Sequence, residues 1–348
     1  MAPTLHQLRW QSLTEVINEI KSPNQFFKKL LFGKFETKAT DTIELSYLKR
    51  GRKTAPFVEK NGEAISIEGH DEEFVVVEAP NIRIKRPFTP GPLLEARRVG
   101  TRAFVNRAEM NAAINAHIGR DMEVLGDNIS DTEEWMCASA LKGKIQYQVS
   151  PNANFQITYP KPAAHTYTAA ALWDAGTPGN PDIDFKKAKR LMSKEVGLAP
   201  NNCIMGELAS DAFLANADVQ KKLDTRNYNA GLVTIESQFT EDGAIWLGRF
   251  AGINCWEYGR TVDFEGTDTK LMADKDVHFV HAGSAAKNIT YYASIPDMRA
   301  LAGGTFQRKR FSKSWQEEDP SALISLVHTR PLPWMRRPGS VVTVTVAT

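Results

Sequence analysis

No proline interrupts the chain between Pro92 and Pro151, and from Arg97 to Leu141 its apolar residues follow one helical face. Ile114, Ile118, Met122, Leu125, Ile129 and Met136 recur in steps of three and four once Thr132 fills the one gap. Arg107, Glu109, Arg120, Asp121, Glu123, Asp127, Asp131, Glu133 and Glu134 are assigned to the outward faces. At 1.5 Å per residue an unbroken helix of this length would span roughly 60 Å, more than the width of an ordinary globular domain. Gly119 and Gly126 each cost about 1 kcal/mol relative to alanine, which predicts a bend or short break, and Gly143 is the predicted stop. Periodicity alone leaves a long core helix and a piece of coiled coil both open, and the flanking segments decide between them.

Before this stretch the chain reads as an arm followed by a protrusion. Leu13, Val16, Ile17 and Ile20 predict a short amphipathic helix ended by Ser22-Pro23. Phe26, Phe27, Leu30, Leu31, Phe32 and Phe35 then interleave with Lys28, Lys29 and Lys34. So many large apolar groups must cover either another part of this chain or another copy of it. Burial within the chain is the default, and a subunit interface is the sharper reading, in which residues 1–35 could be removed from a soluble fold. From Asp41 to Pro92 the pattern turns to β, with Thr42–Leu48, Phe74–Val77 and Ile82–Ile84 as strands. Between the first two lie Lys49-Arg50-Gly51-Arg52-Lys53, Asn61-Gly62, Gly69-His70 and Asp71-Glu72-Glu73, which predict a long hairpin with a charged tip and little core of its own. The acidic run close behind the basic cluster favours a solvated tip or a salt-bridging contact over a phosphate site.

After the long helix, Ile145, Tyr147 and Val149 pair in prospect with Phe155, Ile157 and Tyr159, and the turn-rich Leu172–Pro181 marks a boundary. An α+β unit follows. Asp182 or Asp184 is expected to cap a helix with Phe185, Ala188, Leu191, Met192 and Val196 inward, closed by Gly197. Asn202–Met205 reads as a strand, Ser210-Asp211 as the cap of a second helix, Ala244–Leu247 with Ile253–Tyr258 as a hairpin, and Lys275–His281 as a further strand. Ala322–His328 and Val341–Val346 close the chain. VVTVTV is fibre-prone as a bare edge and is therefore expected to be paired.

Chemistry is hard to find in this sequence. Cys137, Cys203 and Cys255 are far apart and form no C-x-x-C pair, so they read as buried reduced thiols. No dinucleotide, Walker, zincin or nucleophile-elbow motif occurs. His278 and His281 stand three apart, on opposite faces of a strand, and would not share a metal. Asp182 with Asp184, and Asp274 with Asp276, are explained by capping and solvated turns. The scattered tryptophans, Trp173, Trp246, Trp256, Trp315 and Trp334, fit core packing. With 43 basic against 41 acidic residues the formal net charge is +2, which argues against a dedicated nucleic-acid binder. No apolar run approaches membrane-spanning length, and the N-terminus lacks a signal-peptide core, so the chain is expected to be a soluble cytoplasmic product.

Arm, hairpin, long helix, second α+β unit and returning strands resemble, in that order, the parts of a tailed-phage major capsid subunit. Phe26–Phe35 (FFKKLLFGKF), Leu141–Lys144 (LKGK), Lys222–Arg226 (KLDTR) and the stretch through Trp315 and Pro320 to Leu332 resemble segments of the lambda-type major capsid protein E family. The similarity covers nearly the whole chain at low density. It is weakest at Lys49–His70 and around Trp334. The resemblance implies the Hong Kong 97-type fold, α+β, with an N-terminal arm (1–39), an extended loop (40–88), a peripheral domain with a spine helix (89–182), an axial domain (183–302) and C-terminal strands (303–348) that return to the peripheral domain. It further implies self-assembly into hexamers and pentamers of the icosahedral head that encloses a double-stranded DNA genome, in the virion, after assembly in the host cytoplasm. Scaffolding protein, portal, in some members a decoration protein, and packaged DNA through non-specific contacts are the implied partners. No membrane, cofactor, metal, catalytic residue or enzymatic activity is implied. A cellular nanocompartment shell of the same fold is the alternative. The subunit-interface candidates are Phe26, Phe27, Leu30, Leu31, Phe32, Phe35, Arg50, Arg52, Lys53 and Phe74.

Overall fold

The computed structural model describes residues 10–19, 25–48, 72–89, 107–150, 153–222, 238–239, 242–264, 266–304, 306–319 and 321–348. Ile20 and the stop at Ser22-Pro23, the hairpin tip with Arg50, Arg52 and Lys53, the helix start at 97–106 and residues 223–226 of KLDTR lie outside them.

The long helix runs from Arg107 to Lys142. It passes through Gly119 and Gly126 without the expected break. At Gly126 the reason is local: its carbonyl accepts Ser130 Oγ at 2.7 Å and Arg310 Nη1 at 3.3 Å, so the flexible turn is tied from both its own helix and a strand. The helix ends where expected, at Gly143, whose φ of +94° is costly for any residue with a Cβ. Its two halves serve different cores. Ile118, Met122, Leu125 and Ile129 pack on Leu13 and Ile17 of the helix Trp10–Glu19 and on Val327. Met136, Cys137, Ala140 and Leu141 enter the largest core. This is a core helix and not a coiled coil. One assignment is corrected: Asp121, Glu133 and Glu134 do not face water but are buried, at 2 %, 2 % and 0 % exposure.

A seven-stranded sheet carries the second unit. Its order is Thr166–Thr168, Val341–Thr345, Asp276–Val280, Asn202–Met205, Ile253–Glu257, Ile245–Phe250 and Gln238–Phe239. VVTVTV is paired as expected, antiparallel to Asp276–Val280 and parallel to Thr166–Thr168. Asn202–Met205, buried at every residue, sits between a parallel and an antiparallel neighbour. Helices Pro181–Val196 and Glu207–Ala215 share a core with this sheet through Phe185, Phe213, Phe250 and Phe279. Ile204, Val280 and Val341 belong instead to the core at the end of the long helix, so the sheet separates two apolar layers. Both expected caps are corrected. Asn180 caps the first helix, accepting Asp182 N–H at 3.0 Å, and Pro181 occupies its first turn. The second helix starts after Gly206, so Ser210 lies inside it and donates to Glu257 at 2.7 Å.

Thr42–Leu48 and Glu72–Glu78 form the expected antiparallel ribbon, with Thr42 opposite Glu78 and Leu48 opposite Glu72. It is not poor in core: Ile43, Leu45 and Tyr47 are buried in the largest cluster. Ile82–Phe88 leaves the ribbon and pairs with Ala322–Thr329, which pairs in turn with Arg310–Glu317. The arm is also integral. Phe26, Phe27, Leu31 and Phe32 are 5 %, 1 %, 6 % and 1 % exposed, and Phe35–Thr37 runs parallel to Asn288–Tyr292. These four side chains already fill their own subunit's core, as the default reading has it, which corrects their assignment to a subunit interface. All three cysteines are buried and free.

Candidate assembly surfaces and their anchor

The helix Phe26–Leu31 begins at Gln25 with no side-chain cap of its own. Its first N–H groups would be unsatisfied in the core. Glu134, more than a hundred residues away, supplies the acceptor: its carboxylate takes Phe27 N–H at 2.6 Å and Lys28 N–H at 3.0 Å, and Tyr258 Oη donates to it at 3.2 Å. A negative group at a helix N-terminus also meets the positive end of the helix dipole. Burial nevertheless dominates, and pushes the Glu134 carboxyl up to about 7 against those three donors.

Glu133 beside it has the opposite outcome. It accepts Tyr292 Oη at 3.2 Å, Arg310 Nη2 at 3.2 Å and Lys28 Nζ. Burial acts upward on it as well, but the Lys28 and Arg310 cations outweigh it and hold the carboxyl below its ordinary value. Two adjacent acids of the long helix thus clasp residues 27 and 28 of the arm, one through backbone and one through a side-chain charge. Phe26 and Phe27 complete the contact against Tyr258, with ring centroids 5.2 and 4.9 Å away.

Of the interface candidates, the structure leaves Phe35 and Phe74 at the surface, at 52 % and 70 % exposure. Lys309 Nζ lies 3.4 Å from the centre of the Phe35 ring. Phe74 shares the outer side of the ribbon with Val76, 62 % exposed, while Val75 and Val77 pack inward. Leu30 is partly buried against the largest core. Phe35 and Phe74 thus lie on different strands of different sheets.

No group of three or more His, Cys, Asp or Glu able to hold a metal occurs among the described residues. His278 is fully inside, its Nδ1 2.9 Å from Thr343 Oγ1, and burial depresses it to about 3. His281 is paired elsewhere, with Ala199 O at 2.7 Å. Asp182 is bound by Lys186 and Lys222, and Asp184 by the Trp173 indole at 3.0 Å. These are structural contacts. No described helix is long and apolar enough to cross a membrane.

A model of the phage major capsid protein E family matches residues 9–346. The chain belongs to that family. A candidate prophage capsid protein from E. coli CFT073 superimposes with a TM-score of 0.69 at 17 % identity, over 98 % of this chain and 99 % of the other. A phage-related protein from Bordetella bronchiseptica RB50 gives 0.55 at 11 % identity over 97 % of each chain, and the capsid of cyanophage P-SCSP1u gives 0.50 at 9 % over 95 % and 90 %. No curated protein sequence matches. The capsid protein therefore has the Hong Kong 97-type fold implied by its sequence, and its function is to form the phage capsid, as a structural protein of the virion.

Proposed function

We propose that this capsid protein builds hexamers and pentamers of an icosahedral head around a double-stranded DNA genome. Assembly takes place in the host cytoplasm, with scaffolding protein and portal as partners, and no catalytic role accompanies it. The units that carry this are an arm (1–39), an extended loop (40–88), a peripheral domain (89–182, with 303–348 returning to it) and an axial domain (183–302). Family membership favours the phage head over a cellular nanocompartment. The observation that supports subunit contact most directly is the outer side of the ribbon. Phe74 and Val76 are exposed although their own strand has a packed inner side, and their burial against a neighbouring copy would remove both from water. Among the described residues each ribbon strand pairs only with the other, so the outer edges are available to a neighbour.

Replacing Phe74 and Val76 together by serine tests this. Because both are exposed, the monomer is expected to keep its unfolding midpoint to within about 0.5 kcal/mol of stability. Negative-stain microscopy of the purified chain, alone and with scaffold, should show shells, tubes or capsomers for the wild type and few for the double variant. Normal shells from the variant would remove the ribbon from the assembly interface.

A further inference from the structure

Two of the three cysteines, far apart in sequence, meet in the seven-stranded sheet. Asn202–Met205 pairs in parallel with Ile253–Glu257, and in that register Cys203 stands opposite Cys255. Side chains alternate across a sheet. Met205 and Ile253 share the core of Phe185 and Phe213 with both cysteines, while Ile204 and Trp256 face the other core. The two thiols therefore lie on one side of the sheet, 0 % and 2 % exposed, and a hydrogen bond links them. Paired residues of neighbouring strands sit about 4.8 Å apart, inside the span of about 4.4–6.8 Å that the Cα atoms of a disulfide allow. We propose that Cys203 and Cys255 are a redox latch, a dithiol in the newly made subunit that a small peroxide closes to a disulfide once the capsid meets an oxidising medium.

The chemistry balances with hydrogen peroxide as the oxidant. One thiol ionises and its sulfur attacks the peroxide, giving a sulfenic acid and a hydroxide that takes up the released proton. The second thiol then displaces water from the sulfenic acid. Two thiols and one peroxide become one disulfide and two waters, with two electrons passing from sulfur to oxygen. Burial pushes the Cys203 thiol up, so thiolate is scarce and closure is slow. A slow step suits a latch set over the life of the released particle, since the glutathione of a reducing cytoplasm keeps the pair open. That timing rests on the head-forming role above, whereas the facing thiols do not. The bond would close a loop of roughly fifty residues around the helix Glu207–Ala215, long enough to remove much of the unfolded chain's freedom. It would also fix a strand at the centre of the sheet to its neighbour.

The test uses the wild-type chain, held for hours in millimolar hydrogen peroxide, then denatured, alkylated and mapped by peptide mass. Cys137 is the internal control, because it is buried on the long helix in the other core, away from this pair. Most chains should yield a linked Cys203–Cys255 peptide two hydrogens lighter than its parts, reversed by dithiothreitol, with Cys137 still alkylated as a thiol. The oxidised chain should unfold about 3–8 °C higher than the reduced one. Cys255→Ala should give no link and no such rise. Thiols that remain as alkylatable as Cys137, a sulfinic acid at either position without a linked peptide, or an equal rise in Cys255→Ala would overturn the proposal while leaving the capsid function intact. Wild-type chain that forms no shells would count against the head reading, and the peptide map, made on whatever species form, would still decide the latch.

Discussion

Glu134→Gln should change the pH dependence of stability in a way that isolates one buried proton. In the folded chain burial raises the Glu134 carboxyl from its ordinary 4.5 to about 7, so the folded state binds this proton more tightly than the unfolded state. The resulting contribution is fully present below pH 4.5 and is lost as the pH rises through 7. Over the whole interval it amounts to about 3 kcal/mol, and between pH of about 8.5 and about 5.5 roughly 2 kcal/mol of it is recovered. Glutamine has nothing to titrate. It also has a single acceptor oxygen for the N–H groups of Phe27 and Lys28, so one amide is left unpaired at a cost of about 1–3 kcal/mol, independent of pH. The wild-type curve alone is not diagnostic. Burial depresses His278 to about 3 and His328 to about 4, and both therefore weaken the fold on acidification below their ordinary 6.5, against the trend of Glu134. These histidines are common to both proteins and cancel in the difference. Urea unfolding of both chains at the two pH values should show the gap moving by about 2 kcal/mol in favour of the wild type on going to the lower pH. A constant gap, or one moving the other way, would mean that the arm is held by a carboxylate of ordinary acidity and would refute the reasoning.

Other perturbations test the same anchor and the backbone around it. Arg310→Ala removes a buried cation that bonds Glu133 at 3.2 Å, Ser130 at 2.8 Å and the Gly126 carbonyl, and should cost about 3–5 kcal/mol in chemical denaturation because Glu133 keeps its charge; a loss below about 1 kcal/mol would show Lys28 to be sufficient. Two glycine substitutions should differ in sign. Gly119→Ala, where an added Cβ meets nothing within 4 Å, should stabilise the helix by about 0.5–1 kcal/mol, whereas Gly206→Ala would drive a Cβ into the carbonyl oxygens of Ala273 and Asp274 and should cost at least about 1–3 kcal/mol, both read from thermal unfolding.

The same anchor shows what the sequence could and could not disclose. Helical spacing located the long helix because its apolar side chains recur locally, and local recurrence needs no knowledge of partners. It assigned the wrong filler to the gap between Ile129 and Met136. Steps of three then four lead through Thr132, and steps of four then three lead through Glu133. Both keep to the stripe, and hydropathy chose the threonine. In the structure Thr132 is half-buried and bonds back to Asn128 at 2.9 Å, while Glu133 and Glu134 point into the core. Their partners lie in the arm and in strands more than a hundred residues away, so no window of the sequence could supply the cations and N–H groups that make burial of two acids tolerable.

The error over the arm has the same origin, seen from the other side. FFKKLLFGKF is too greasy to remain uncovered, but covering it with the same chain needs a partner for an uncapped helix start and for Lys28. Among the described residues the misassigned acids provide that. Once Glu133 and Glu134 are placed inward, burial of Phe26, Phe27, Leu31 and Phe32 within the subunit follows from satisfying polar groups, and Phe35, Phe74 and Val76 are the large apolar side chains of arm and ribbon left exposed. A capsid subunit that keeps its arm by two carboxylates of opposite pKa displacement ties the seating of residues 27 and 28 to the long helix: burial makes the Glu134 charge costly despite the N–H groups that favour it, while Lys28 and Arg310 stabilise the charge on Glu133.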